Sequence, residues 1–409
     1  MCPTEERATM RIRGSHVAVV GGSIAGCAAA VALARAGCEV TVFERSRGGL
    51  RDRGAGITLP ASLHGELLDA GYLSPGMRVL RRDELIWLTR DGRSPDGRMV
   101  GRQPYPSIMA SWALVWRGLR RQVPDSAYRE GAAVTGVRQV GDGVEVWVNG
   151  RSAGRYAVAV GADGYRSTVR PAVAPEAAVR YAGYGLWRGD HPADRGADGP
   201  RSPLLDDFVA VGFRGGHAVF YRIPDAGSDG YRQNWALYGS VPDALYPDGK
   251  AAPVPRGQVT GTAAAHLHEL IARELPPTWA DTVRRTELHE LSINPMYDTT
   301  VSRYAKGPLL LAGDAGAIAR PHTGAGAVKA IQDACALERV CQAGETWPEA
   351  LAAFDAERRG AGNALTELGK HLGRMRVEDS PDWPALTPDD FASWLHANTH
   401  GWQSAYDPA

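Results

Sequence analysis

The residues with the clearest chemical purpose lie near the start of the chain. Residues 17–27, V-A-V-V-G-G-S-I-A-G-C, fit the pattern G-x-G-x-x-G with Gly21 first, Ser23 in the second place and Gly26 third. Gly21 permits a tight turn, and Gly26 lets a helix pack close to a strand. Gly22, Ser23, Ile24 and Ala25 then fall at the helix start, where free N–H groups and the positive dipole end face a diphosphate. Glu44 follows at roughly the 20-residue distance of the acid that hydrogen-bonds an adenosine ribose, with Arg45 beside it. An acid there disfavours a 2′-phosphate, so the implied ligand is FAD or NAD.

Positioning these residues requires a strand over 16–20, an alanine-rich helix over 25–36 that stops at Gly37, and a second strand over 39–43. A helix over 59–70, opened by Pro60 and closed by Gly71, follows. Residues 72–110 are rich in Gly, Pro and Arg and show no firm organisation beyond a strand at 84–89. A helix over 112–123 stops at Pro124. Three alternating runs, 133–140, 143–148 and 155–160, are separated by the turn signals Gly141-Asp142-Gly143 and Asn149-Gly150. They predict a hairpin meander that returns to the main sheet. Residues 180–240 stay β-like and aromatic, which predicts a second sheet. Helices are expected over 262–274, 327–340 and 348–372, with a short buried strand at 309–312. Residues 378–409 carry little signal beyond a short helix at 389–396.

At 409 residues the chain can form two domains or one body with a large insertion. Lys+Arg and Asp+Glu balance at 46 each, which points away from nucleic acid and membrane surfaces and toward a small-molecule partner. The five cysteines form no C-x-x-C pair, and His266 and His268 fall on different faces of a helix, so no metal is expected. No stretch of about 18 apolar residues occurs, and a cytoplasmic location is expected.

Two later segments bear on the choice of cofactor. G-A-D-G-Y-R-S-T-V-R, residues 161–170, ends a predicted strand, and L-L-L-A-G-D-A, residues 309–315, precedes P-H-T-G-A-G, residues 321–326, and a helix. With the first fingerprint they resemble the single-component, group A flavin monooxygenases of the p-hydroxybenzoate hydroxylase type, over most of residues 14–372. Within that family the likeness extends to the dihydroxypyridine hydroxylases on the Gly-Gly-Ser-Ile turn, on Y-A-G-Y-x-x-W-R-G at 181–189 and on R-P-H at 320–322.

The resemblance implies FAD as the cofactor. It places Asp163 near the diphosphate, Gly313 and Asp314 at the ribityl chain, and Gly324, Ala325 and Gly326 at a helix start beneath the flavin ring. Arg53 and Arg117 occupy places where the family commonly binds the cofactor with arginine; each is also compatible with a surface role. Ala325 and Val328 depart from the Gln and Asn that members often carry there. NADH or NADPH is implied as a transient electron donor, since no second glycine fingerprint follows a strand. Molecular oxygen then adds to C4a of the reduced flavin, and the hydroperoxide hydroxylates an electron-rich aromatic or N-heteroaromatic small molecule.

A phenol or hydroxypyridine reacts better when deprotonated, which makes His322, inside the turn that should pass the flavin, the catalytic candidate. Substrate-binding candidates on the second sheet are Trp187, Arg188, His217, Tyr221, Trp235 and Tyr238, with Met296 beside them; for the aromatics, core packing is the competing role. Epoxidation, Baeyer-Villiger oxidation of a natural-product intermediate, and flavin binding without turnover are the alternatives.

The expected architecture is α/β. It has a Rossmann-like FAD-binding domain built from residues 14–72, 106–170 and 284–345. An inserted, mostly antiparallel substrate sheet takes residues 73–105 and 171–283, and a C-terminal helix and tail take 346–409. A homodimer is compatible with this plan.

Overall fold

Consecutive Val and Ala residues at the N-terminal end predict elements covered on both sides. In the computed structural model, which describes residues 10–48, 50, 55–195, 202–245 and 251–399, they are. β1 (His16–Val20) buries four of its five residues, and α1 (Ile24–Arg35) ten of twelve. In chain order there follow β2 (Glu39–Glu44), β3 (Gly56–Pro60), α2 (Ala61–Asp69), β4 (Leu80–Thr89), β5 (Arg98–Ser111), α3 (Trp112–Arg120) and β6 (Tyr128–Glu130). Next are β7 (Val134–Val140), β8 (Gly143–Val148), β9 (Arg151–Tyr156), β10 (Val158–Gly161), α4 (Arg170–Val173), β11 (Arg180–Pro192), β12 (Val209–Phe213), β13 (Gly216–Pro224) and β14 (Tyr231–Gly239). The remainder is α5 (Gly261–Glu274), α6 (Pro277–Arg284), β15 (Ser292–Asp298), β16 (Ala305–Lys306), β17 (Leu309–Leu311), α7 (Gly326–Ala343), α8 (Trp347–Gly373) and α9 (Pro388–Thr399).

The first layer is a six-stranded sheet in the order β16-β17-β10-β1-β2-β6, parallel apart from β16. Its register sets Val20 opposite both Gly161 and Phe43, and Gly161 opposite Leu311. Four strands therefore end at one edge, and the segments beginning at Gly21, Glu44, Ala162 and Ala312 emerge side by side. The crevice beyond the carboxyl ends of parallel strands is where open α/β sheets bind ligands.

The second layer is an eight-stranded sheet, β15-β11-β14-β13-β12-β4-β5-β3, antiparallel except for β12 with β4. One of its faces packs on α5 and α6 around Trp187, Phe220, Trp235 and Trp279.

The sequence reading differs from this structure in four places. Most of residues 72–110 belongs to the long β4–β5 hairpin, in which Arg81, Arg82, Arg98 and Arg102 stand exposed or half-buried and the outer half of each strand shows no apolar alternation. The run 155–160 is two strands: Tyr156 closes the separate β7-β8-β9 sheet, and Val158 begins β10 in the parallel sheet. Alternation survives a change of sheet, so period alone does not reveal it. β3 and β15 pair into the eight-stranded sheet, although they lie in the segments 14–72 and 284–345 expected to bind FAD. Finally, the tail packs. Trp383 stacks on Trp87 at 4.9 Å, and a Cβ at Gly212 or Gly101 would meet Trp383 at 2.3 Å or Phe391 at 2.1 Å.

Candidate active site

At the nucleotide end the backbone dictates the residue types. Gly21 has φ +99°, and a Cβ there would lie 2.4 Å from the Ala162 carbonyl oxygen. A Cβ at Gly26 would lie 1.8 Å from the Gly21 carbonyl oxygen, so the α1–β1 approach admits only glycine. The turn is held from outside: the Gly22 N–H donates to Glu44 Oε2 at 2.8 Å, and its carbonyl accepts from Trp116 Nε1 and the Tyr128 hydroxyl, each at 2.9 Å. Glu44 Oε1 accepts from the Ser46 N–H at 2.8 Å.

The other two motifs meet this turn. Asp163 Oδ2 accepts from the Thr168 N–H at 2.6 Å, while its Oδ1 is buried with no protein partner. Burial lifts the Asp163 carboxyl above its usual range, against the hydrogen bonds from Ser167 and Thr168. Gly313, at φ +60°, donates its N–H to Asp333 Oδ2 and accepts Lys329 Nζ at its carbonyl, both at 2.8 Å. Asp333 also accepts Lys329 Nζ at 2.8 Å and Arg358 Nε at 2.7 Å. Burial opposes both charges of the Lys329–Asp333 pair. The two cations outweigh it, holding Asp333 low, and Asp333 in turn holds Lys329 high. Beside them Asp314 lines the cleft with its accessible surface; desolvation by the surrounding protein, then Asp333, raises its carboxyl. The 18-residue helix α7 begins at Gly326 with no side-chain cap, after the left-handed Gly324.

These features border one cleft of about 590 Å³. It is lined by Gly21, Ser23, Ile24, Ala25, Glu44, Arg45, Asp163, Gly313, Asp314, Gly324 and Gly326 of the expected cofactor positions. Gly22, Gly26 and Ala325 support the turns from behind. Arg117 does not line the cleft: its Nη1 donates to the Ala226 carbonyl, because it projects from the side of α3 away from Trp112. Arg53 lies outside the described residues. The cradle fits an extended dinucleotide: three glycine positions exclude a Cβ at its wall, a buried carboxylate oxygen of Asp163 lacks a protein donor, and a helix start is uncapped.

At the other end strand alternation decides. Leu186 and Arg188 of β11, His217, Val219 and Tyr221 of β13, and Ala236 and Tyr238 of β14 face the cleft. Trp187 and Trp235, expected at the substrate, face the opposite side. Trp187 Nε1 donates to the Ser240 carbonyl at 3.0 Å and Trp235 Nε1 to Thr286 Oγ1 at 2.8 Å, both in the core beneath α5 and α6. Met296 does not line the cleft; it packs beside it, in a cluster with Tyr184, Leu186 and Tyr238. A residue one position from Arg188 in the chain thus belongs to another core.

His322 sits in a 3-10 turn, Pro321–Thr323, and is 6% exposed. Its ring lies 4.1 Å from that of Tyr238 and 5.2 Å from that of His217, and His217 stacks on Tyr238 at 4.6 Å. Burial, then neighbouring positive or imidazole groups, pushes both histidines well below the usual value, so both are neutral. Burial pushes the Tyr221 phenol up to about 12 and raises Tyr184 and Tyr238 further, so all three keep their protons. Among the described residues the carboxylates lining the cleft, Glu44, Asp163 and Asp314, all lie at the nucleotide end; the substrate end has Arg188 and Arg376.

Sequence reasoning missed Tyr184 and Arg376. Tyr184 stands two residues before Leu186, but β11 has a register shift between Tyr181 and Gly185, so alternation alone does not place it. Arg376 was not legible either, because it reaches the cleft from a π-helical turn, Arg374–Glu378, at the end of α8, where helical periodicity stops.

Comparison with known proteins adds to this geometry. A model described as an FAD binding domain matches residues 253–368, and one described as an NAD(P)-binding Rossmann-like domain matches residues 19–50. The chain is 28% identical to 2,6-dihydroxypyridine 3-monooxygenase of Paenarthrobacter nicotinovorans, covering 92% of this chain and 93% of that protein. It is also 28% identical to 3-amino-4-hydroxybenzoate 2-monooxygenase of Streptomyces cremeus, covering 97% and 98%. The solved 2,6-dihydroxypyridine-3-hydroxylase from Arthrobacter nicotinovorans superposes with a TM-score of 0.78 at 26% identity, over 91% of this chain and 96% of that one. A Klebsiella pneumoniae protein complexed with FAD and uric acid shares the fold, with a TM-score of 0.72 at 20% identity over 96% and 93%.

Proposed function

We infer that this chain is a single-component FAD-dependent monooxygenase of the aromatic hydroxylase type, using NADH or NADPH and O2 to hydroxylate an electron-rich aromatic or N-heteroaromatic small molecule. The observation that carries this reading is one continuous cleft with two chemically distinct ends, a glycine-walled acidic end and an aromatic, donor-lined end. When bound, FAD supplies the electron transfer and oxygen activation, because no side chain offers either.

The chain's own residues bind, orient and exclude water. The Gly21–Gly26 turn brings the start of α1 to the diphosphate, and Glu44, with lone pairs left after its two N–H partners, accepts ribose hydroxyls. Asp163 Oδ1 and Asp314 accept hydroxyl donors along the middle of the cofactor. The uncapped start of α7 would stabilise negative charge on a flavin held in the cleft. Arg188, His217, Tyr221, Tyr238 and His322 hold the substrate ring, and the apolar wall of Leu186, Val219 and Ala236 keeps water from it. We also read the enzyme as cytoplasmic: no helix of the described residues is long and apolar enough to cross a membrane, and the four described cysteines are free.

Anaerobic reduction of the FAD-loaded protein by NADH and by NADPH, with and without hydroxypyridines, hydroxybenzoates, urate and indoles, tests the reading. One or more ring compounds should accelerate reduction and, after oxygen is admitted, gain one oxygen atom by mass. Acceleration by none, with no oxygenated product, overturns it for those compounds.

A further inference from the structure

The hydrogen bonds around His322 have a direction. Arg320 is buried and held by Asp298, which accepts its Nε at 3.0 Å and its Nη2 at 2.9 Å, and by Glu378 on Nη1. The same Nη1 lies 3.4 Å from the Tyr184 hydroxyl oxygen. A guanidinium only donates, so that oxygen is the acceptor of the pair. The hydroxyl's single proton then needs an acceptor, and among the described residues His322 Nε2 is the one in reach, at 2.6 Å. Nε2 therefore carries the lone pair. The other nitrogen, Nδ1, is buried with no protein partner, on a ring that lines the cleft.

We propose that Tyr184, oriented by Arg320, fixes His322 as the tautomer with its proton on Nδ1, so that the site recognises ring substrates through an acceptor oxygen, an oxyanion or a ring carbonyl. This rests on the reading of the cleft as a hydroxylase site and adds the form in which the substrate binds. Three further observations agree. Arg188 Nε–H is also buried without a protein partner and points the same chemistry at the cleft. No Asp or Glu lines that end among the described residues, so a neutral hydroxyl would lack a carboxylate to receive its proton. Burial, then His217, Arg376 and Arg320, disfavours a second proton on His322, and the Tyr238 ring covers it. His322 is then a hydrogen-bond donor to the bound ring, and Tyr184 is a positioning residue. A buried N–H left without an acceptor is unfavourable, and an acceptor oxygen on the substrate restores the bond.

Two measurements on the FAD-loaded protein test this. With 15N-histidine labelling, long-range proton–nitrogen correlation should show His322, assigned by its loss in His322→Gln, with Nδ1 protonated and Nε2 bare; Tyr184→Phe should abolish that single tautomer while FAD content stays as in the wild type and Tm falls by no more than a few degrees. A protonated Nε2 in the wild type overturns the proposal, and this readout needs no turnover, so it fails separately from the hydroxylase reading. With 2,6-dihydroxypyridine as probe, kcat/KM should fall roughly tenfold in Tyr184→Phe and His322→Gln but less than about threefold in His322→Asn, whose amide N–H overlies Nδ1 and takes up no proton. If His322→Asn loses as much as His322→Gln with FAD retained, the ring is acting as a base and the donor assignment is wrong.

Discussion

The two ends of the cleft are built on different principles. At the nucleotide end the backbone does the binding: positive φ at Gly21, Gly313 and Gly324 and the absence of a Cβ at Gly26 are conditions on the main chain, and a substituent there meets a carbonyl or a neighbouring side chain. At the substrate end the backbone is ordinary β-sheet, and function depends on which side of each strand a side chain takes. Residue identity is therefore strictly constrained at the first end and free to vary at the second.

The comparison breaks if backbone constraint at Gly26 proves dispensable. Gly26→Val should destabilise the fold by more than about 3 kcal/mol and leave the purified protein without FAD, since its Cβ falls 1.8 Å from the Gly21 carbonyl oxygen. Wild-type FAD content and Tm would refute the constraint.

Adjacent residues of β11 sharpen the second half. Trp187→Phe should lower stability by about 1–3 kcal/mol, through the lost Ser240 bond and a partial cavity, with KM unchanged. Arg188→Gln should do the reverse, raising KM about tenfold with Tm within a few degrees. Chemical denaturation and steady-state kinetics on the two variants separate these outcomes, and a KM change in Trp187→Phe would mean that alternation misassigns the wall.

The smallest effect concerns pH. His217 faces Arg376, Tyr238, His322 and Trp87, and its folded pKa lies well below 6.5. The unfolded chain binds a proton that the folded one refuses, so this contribution to stability is complete above about pH 6.5 and is lost as the pH falls, by at most about 1.4 kcal/mol per pH unit. His217→Phe should therefore show a smaller fall in Tm than the wild type between about pH 7.5 and about pH 5.5. An identical fall in both proteins would show that His217 is not the group titrating.

What was legible in the sequence follows from the same contrast. Gly21, Ser23, Gly26, Glu44, Asp163 and Gly313-Asp314 were named because they fall at or just beyond the ends of β1, β2, β10 and β17, where strand, turn, helix and acid recur in a readable order. Arg188, His217, Tyr221 and Tyr238 were named together with Trp187 and Trp235, since composition marks an aromatic sheet but not which face meets the ligand. Arg117 illustrates the limit from the other side: a basic residue at the expected place on α3 is turned onto the Ala226 carbonyl by the helix's own rotation.

The sequence by itself determined the first strand, its phosphate-facing turn, the helix and the acid that follows, because those rest on local backbone requirements within a few residues; FAD rather than NAD was implied by the resemblance of three separated motifs. Only the tertiary structure decided which strand faces line the cleft and which groups surround His322. Tyr184, Arg320, Asp298, Glu378 and Arg376 come from β11, the loop after β17, β15 and the turn beyond α8, and a hydrogen bond's direction depends on partners that are distant in the chain.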